Sequence, residues 1–160
     1  MNAITSVATS GASGLKISNI SKTFREKVLH EIDLEVAPSE LLAVTGPSGS
    51  GKTTLCRILA GLEEADSGTV FLAGRDLSNV AAGARRVAFM FESYALYPHM
   101  TVVQNVMSPL LARNTTVGEN PQQIVTRVLE LLEIAHLSAR LPATLSGGQK
   151  QRAALARMLV

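Results

Sequence analysis

The chain has 160 residues, the length of about one domain, and 46% of them are hydrophobic, enough for a real core, although aromatics are only 4% and Trp is absent. Fifteen basic residues against 13 acidic ones give a net charge of +2, a near balance that offers no reason to propose nucleic acid as a partner. No apolar run approaches the length of a membrane span, no basic region followed by an apolar core marks a signal peptide, and a single cysteine, Cys56, excludes an intrachain disulfide and fits a reducing, cytoplasmic setting.

Residues 1–14 are rich in Ser, Thr, Ala and Gly, uncharged and without a sustained period, and read as a disordered leader. Order is expected from Leu15. Leu15-Lys16-Ile17-Ser18 alternates as a half-buried strand should, and so does Val28 to Val36, with Val28, Ile32, Leu34 and Val36 on one parity. The turn between them carries Phe24. An aromatic there can stack on a base, but an isolated Phe is more often core, and pattern alone favours core. Leu41-Leu42-Ala43-Val44 reads as a short buried strand.

That strand feeds Gly46-Pro47-Ser48-Gly49-Ser50-Gly51-Lys52-Thr53, the G-x-x-x-x-G-K-[ST] spacing of a phosphate-binding P-loop. Glycines let successive backbone N–H groups turn inward around an anion. Lys52 reaches the outer phosphates as a point charge, the Thr53 hydroxyl ligates Mg²⁺, and the helix starting here, with Thr54 in its first turn, aims its positive end at the phosphates. The helix reads as Thr54 to Ala60, with Gly61 as its stop. Cys56 lies on it and is read as packing rather than reacting. Strand, glycine-rich loop and helix together are the context the motif requires.

Glu63 to Gly68 forms a polar turn, Gly68 to Gly74 a glycine-bounded strand, and Val87 to Phe91 another apolar strand. From Glu92 to His99 the sequence reads as a loop. Helices follow. Thr101-Val102-Val103-Gln104 is a capping box opening a helix that meets Pro109. Asn120 and Pro121 open a second helix, with Val125, Val128, Leu129 and Leu132 on one face. Ser146-Gly147-Gly148-Gln149 opens a third that runs to the end. Its two glycines expose N–H groups at a helix start, which suits an anion, and alone the pattern equally describes a plain cap satisfied by Ser146.

The P-loop, the segment 91–100 (FESYALYPHM) and the run LSGGQKQR at 145–152 occur in an order that resembles the nucleotide-binding subunit of ABC transporters, over about Leu15 to Val160. Within that family the run SYALYPHMTV at 93–102 is most similar to ATPases of sugar importers of the maltose and glycerol-3-phosphate type, with polyamine-type importers close. The resemblance implies an α/β fold: a P-loop NTPase core with an antiparallel β-subdomain and a helical subdomain, divided as 15–91 and 92–160 and C-terminally truncated. It implies ATP and Mg²⁺ as cofactors, Phe24 stacking on adenine, and Ser146, Gly147, Gly148 and Gln149 meeting the γ-phosphate held by a second copy in a head-to-tail dimer. It also implies integral-membrane permease subunits docking on about 93–113, a solute-binding protein acting indirectly, and a place on the cytoplasmic face of the inner membrane. Glu92 stands where the family usually has the glutamine that contacts Mg²⁺ and the attacking water. A glutamate can still offer oxygen to Mg²⁺, but it adds repulsion near the γ-phosphate; otherwise it is a solvated loop carboxylate.

In the family an apolar strand ending in Asp, a catalytic Glu and a switch His follow the signature helix. This sequence reaches Val160 without them, and His30, His99 and His136 precede the signature. No catalytic residue is therefore assigned, and weak nucleotide binding with little or no hydrolysis is expected of the chain alone. Two readings stand: the energy-coupling subunit of an importer seen as its N-terminal part, or a truncated non-catalytic nucleotide-binding or interaction remnant. An ABC-type ATPase of DNA repair ranks below both, because no sustained heptad separates P-loop and signature.

Overall fold

The computed structural model describes residues 14–112 and 120–160. The expected leader, apart from Gly14, and Arg113 at the end of the expected permease surface lie outside the described residues. The chain divides into two compact units after Val87.

The first unit is built on an antiparallel sheet. Strands β1 (Leu15–Thr23), β2 (Lys27–Val36), β3 (Ser67–Leu72) and the short β4 (Arg75–Asp76) lie in the order β2-β1-β3-β4. The expected alternation holds only in part, because two bulges shift it. Asn19 (φ 53°) and Glu31 (φ 46°) both take left-handed backbone, and the β1–β2 register slips around each. Ile17 and Ile20, three residues apart, are therefore both buried, and Leu29 is buried while Val28 is half-buried against the same core. Hydrogen bonds hold each bulge: Asp33 Oδ1 accepts from Asn19 N at 2.9 Å, and Ser21 Oγ accepts from Glu31 N at 3.0 Å. Gly68 makes room on β3, where an added Cβ would lie 2.5 Å from the Asn19 carbonyl oxygen. Phe24, at the β1–β2 turn, is 56% exposed, which overturns the core reading of that residue.

Helix α1 (Lys52–Ala60) packs Leu55 and Ile58 against this sheet's apolar face. Gly61 (φ 74°) ends it, with the N–H groups of Gly61 and Leu62 returning to the carbonyls of Ile58 and Arg57. The buried Arg85 of α2 (Ala82–Arg85) adds donors from its Nη1 to the Ile58 and Leu59 carbonyls at 2.8 and 3.2 Å. Burial holds its guanidinium below the ordinary value. Cys56 is half-buried.

Two expected strands are not formed. Residues 41–44 and 87–91 are irregular, with Leu41 96% exposed and Met90 and Phe91 well exposed. A strand needs a ladder partner, and among the described residues none pairs with either segment.

The second unit is helical. α3 (Val102–Ala112), α4 (Pro121–Leu131) and α5 (Gly147–Leu159) enclose a core that includes Val102, Val106, Val125, Leu129, Ile134, Leu145, Ala153 and Ala156. All three helix starts follow the sequence. Thr101 and Gln104 exchange capping bonds, the Asn120 side chain accepts from Gln122 N, and Ser146 and Gln149 form a complete capping box. Pro109 lies inside α3, which continues to Ala112. Among the described residues no helix is long and apolar enough to cross a membrane.

Candidate functional site

The P-loop runs from an irregular lead segment into α1. Gly46, Gly49 and Gly51 sit at φ 152°, 80° and 89°, the backbone that turns consecutive N–H groups toward one side. Gly51 caps α1 without any side-chain hydrogen bond, and the first turn carries no acidic residue. The amide donors at this helix start are therefore open to an anion. Lys52 curls over the loop, its Nζ donating to the Gly46 and Pro47 carbonyls at 2.9 and 2.7 Å and lying 3.4 Å from Ser50 Oγ. The ammonium is thus held against the loop by its own carbonyls.

A cleft of about 330 Å³ is lined by Ser48 to Thr54, Val28 and the exposed ring of Phe24. An apolar ring at one end and a positive, donor-rich loop at the other suit a base joined to phosphates. Phe24 has a cationic neighbour. Lys22 Nζ lies 5.2 Å from its ring centroid and pairs with Glu63 at 2.9 Å and Asp66 at 3.5 Å. Asp66 Oδ2 also accepts from Thr23 N at 2.6 Å. The Glu63 hydrogen bond raises the Lys22 ammonium above its ordinary value, and the Thr23 amide holds the Asp66 carboxyl below its own. A larger cleft of about 430 Å³ lies between Arg85 and Asp66. There Arg85 is spent on the Val80, Ile58 and Leu59 carbonyls, so it is not a second phosphate cradle.

ATP and Mg²⁺ are the groups that the family resemblance implies, and the residues of this cleft fit them. Glycine backbone, an uncapped helix start and a lysine answer phosphates. Thr53, exposed in the first turn of α1, offers a hydroxyl oxygen suited to Mg²⁺.

In the second unit the start of α5 differs from that of α1. Ser146 Oγ accepts from Gln149 N at 3.4 Å, and Gln149 Oε1 accepts from Ser146 N at 3.0 Å, so the cap described from sequence is present. Gly147 and Gly148 are exposed, and an added Cβ at either would meet nothing within 4 Å. Glu92 is exposed at the second position of the turn closed by the Tyr94 N–H on the Phe91 carbonyl. His30, His99 and His136 are exposed too; His30 Nε2 lies 3.0 Å from the Lys27 carbonyl oxygen, and the His99 ring centroid lies 6.3 Å from that of Tyr97.

Two residues that sequence reasoning passed over organise the loop after Glu92. Asn105, fully buried on α3, accepts from Tyr97 N at 2.8 Å and donates to the carbonyls of Tyr97, Met100 and Thr101. Arg157, on α5, donates to the Ala95 and Tyr94 carbonyls. A buried asparagine among valines was the available signal for the first. Arg157 carried no local signal.

This loop, helix and cleft define a P-loop protein, with the strand expected ahead of the loop not formed. The chain belongs to the ABC transporter family, whose model matches residues 29–160. The sulfate/thiosulfate import ATP-binding protein CysA of Vibrio cholerae is 50% identical over 149 residues, covering 91% of this chain and 40% of that protein. CysA of Escherichia coli K12 is 48% identical, covering 91% and 41%. The chain thus spans about two fifths of the length of these relatives. Among solved structures, the dimeric bacterial ABC transporter cassette MJ0796 superposes with a TM-score of 0.80 at 27% identity, covering 90% of this chain and 68% of that one. These relatives correct the subgroup expected from residues 93–102. They are named for sulfate and thiosulfate import, not for sugar or glycerol-3-phosphate, and give no support to carbohydrate import.

Proposed function

We propose that this chain is the nucleotide-binding part of an ABC importer that moves a sulfate-type oxyanion, and that it holds ATP with Mg²⁺ in the P-loop cleft. The observation that carries the reading is the convergence of Phe24 and the P-loop on one cleft. Phe24 stacks on adenine. The N–H groups of residues 46–54 and Lys52 hold the phosphates, and Thr53 gives an oxygen to Mg²⁺. Glu92 offers a second oxygen from the loop that follows residues 15–91. The metal, when bound, offsets the charge of the outer phosphates. Ser146, Gly147, Gly148 and Gln149 present the start of α5 to the nucleotide of a second copy, as supported by the dimeric form of the MJ0796 cassette. Residues 93–112 face permease subunits on the cytoplasmic side of the inner membrane, with a solute-binding protein beyond them. The solute class rests on the names of the CysA relatives alone.

The test is titration of the chain with ATP and with inorganic tripolyphosphate. Lys52→Ala is expected to weaken both at least tenfold. Phe24→Ala is expected to weaken ATP about tenfold, since base stacking contributes about 1–3 kcal/mol, and to leave tripolyphosphate unchanged. Equal ATP affinity in the parent and Lys52→Ala would refute phosphate binding at this loop. An unchanged ATP affinity in Phe24→Ala would refute the base site.

A further inference from the structure

The loop after Glu92 is held in an unfavourable shape by a side chain from the last turn of α5. Tyr94 and Ala95 follow one another at φ 61° and 45°. Non-glycine residues keep such a left-handed pair only where their surroundings impose it. Arg157 does the imposing. Its Nη1 donates to the Ala95 carbonyl at 2.8 Å and its Nη2 to the Tyr94 carbonyl at 3.2 Å. The guanidinium carbon lies 5.3 Å from the Tyr97 ring centroid, within cation–π range. A planar fork reaches two successive carbonyls and a ring face at once, which a lysine ammonium cannot do. Asn105 then anchors the far side of the loop at Tyr97, Met100 and Thr101.

We propose that Arg157 is a positioning residue that latches the loop beginning at Glu92 to the helix beginning at Gly147, so that the two move as one piece. Gly147 and Arg157 lie ten residues apart on a continuous helix, about 15 Å along its axis. A displacement at the glycine-rich start is carried by that rigid helix to the Tyr94 and Ala95 carbonyls. The existence of the latch stands on the geometry above. Its consequence, that contact of the α5 start with a partner's nucleotide sets the position of Glu92, rests on the function proposed for this site.

Both tyrosines of the chain, Tyr94 and Tyr97, sit in this loop, and there is no Trp. Tyrosine emission therefore reports on the loop alone. The experiment is acrylamide quenching and anisotropy of that emission in the 160-residue chain without nucleotide. Arg157→Ala is expected to raise the quenching constant about twofold and to lower the anisotropy. Arg157→Lys, which keeps the charge and gives the answer should the alanine variant lose its helices, is expected to fall between. Arg152→Ala, on the same helix and paired with Glu133, is expected to change neither signal. Unchanged quenching in both Arg157 variants, or an equal rise in Arg152→Ala, would overturn the latch. MgATP affinity is measured alongside. A loosened loop with weakened MgATP binding supports the latch and its consequence. A loosened loop with unchanged MgATP binding keeps the latch and counts against the role proposed for Glu92.

Discussion

Glycine has two distinct roles in this chain, and substitution separates them. Gly68 lies at φ 97°, and a Cβ there would come within 2.5 Å of the Asn19 carbonyl oxygen. That atom is backbone in a bulged strand, so it cannot swing aside. The left-handed conformation alone costs a non-glycine residue about 1–3 kcal/mol, and the overlap adds to it. Gly68→Ala is expected to lower stability by at least about 2 kcal/mol, measured by urea unfolding. Gly147 is the opposite case. It has helical backbone, and an added Cβ meets nothing within 4 Å. Gly147→Ala is expected to leave stability unchanged or slightly raised, since alanine favours helix by up to about 1 kcal/mol over glycine. A loss of ATP-dependent dimerisation in that variant would then report on the surface at the α5 start, not on folding. A loss of stability from Gly147→Ala as large as that from Gly68→Ala would contradict the difference drawn between them.

At the scale of elements, the end of β1 is tied to the turn after α1 by Lys22 and Thr23 on one side and Glu63, Glu64 and Asp66 on the other. The Asp66 carboxyl is held below its ordinary value of 3.8, chiefly by the Thr23 amide. A depressed carboxyl contributes stability above its unfolded value, and that contribution fades as pH falls through the folded value. The stability gap between the parent and Asp66→Asn is therefore expected to be constant from pH 5 to 7 and to shrink below about pH 3.8. Asp76, also held low by Ser78, is present in both proteins and cancels in the difference. A gap that stays constant to pH 2.5 in thermal melts would show that the tie does not depend on the charge of Asp66.

What the sequence showed of these elements follows the range over which each is determined. Helix starts at Thr101, Asn120 and Ser146 are settled within four residues, so they could be read directly, as could the P-loop and the Gly61 stop. The strands expected at 41–44 and 87–91 could not, because an apolar run becomes a strand only against a partner, and partners are a property of the sheet. The bulges at Asn19 and Glu31 hid for a related reason. Each is stabilised by a side chain on another segment or strand, Asp33 and Ser21, so alternation read along one strand misplaced Leu29. Arg157 acts on carbonyls 62 and 63 residues away, beyond the reach of any periodicity. Phe24 shows the converse. Its pattern favoured core and only the family resemblance pointed to stacking on adenine; the folded turn leaves its ring exposed beside the P-loop.

The whole chain divides after Val87, and the groups proposed for nucleotide binding divide with it. Phe24 and residues 46–54 fall in the first unit. Glu92 and the glycine-rich start of α5 fall in the second. In the proposed function the first unit holds the base and phosphates of its own nucleotide, and the α5 start meets the nucleotide of a partner. Ligand binding stabilises what it touches by RT ln(1 + [L]/Kd), about 2.7 kcal/mol at a hundredfold excess over Kd. For a unit of this size such a gain raises the melting point on the order of 10 °C. ATP with Mg²⁺, added to the chain at a concentration too low for self-association, is therefore expected to raise the melting of the sheet unit and to slow amide exchange through residues 46–60. Exchange at residues 146–149, the start of α5, should remain at its nucleotide-free rate. Raising the protein concentration until copies associate should then protect residues 146–149 as well. Protection of the α5 start in the dilute monomer would mean that one copy supplies both surfaces to its own nucleotide, and the head-to-tail arrangement would fall. Protection that stays within residues 46–60 even when copies associate would leave the α5 start as the plain capped helix that its Ser146–Gln149 box already makes it.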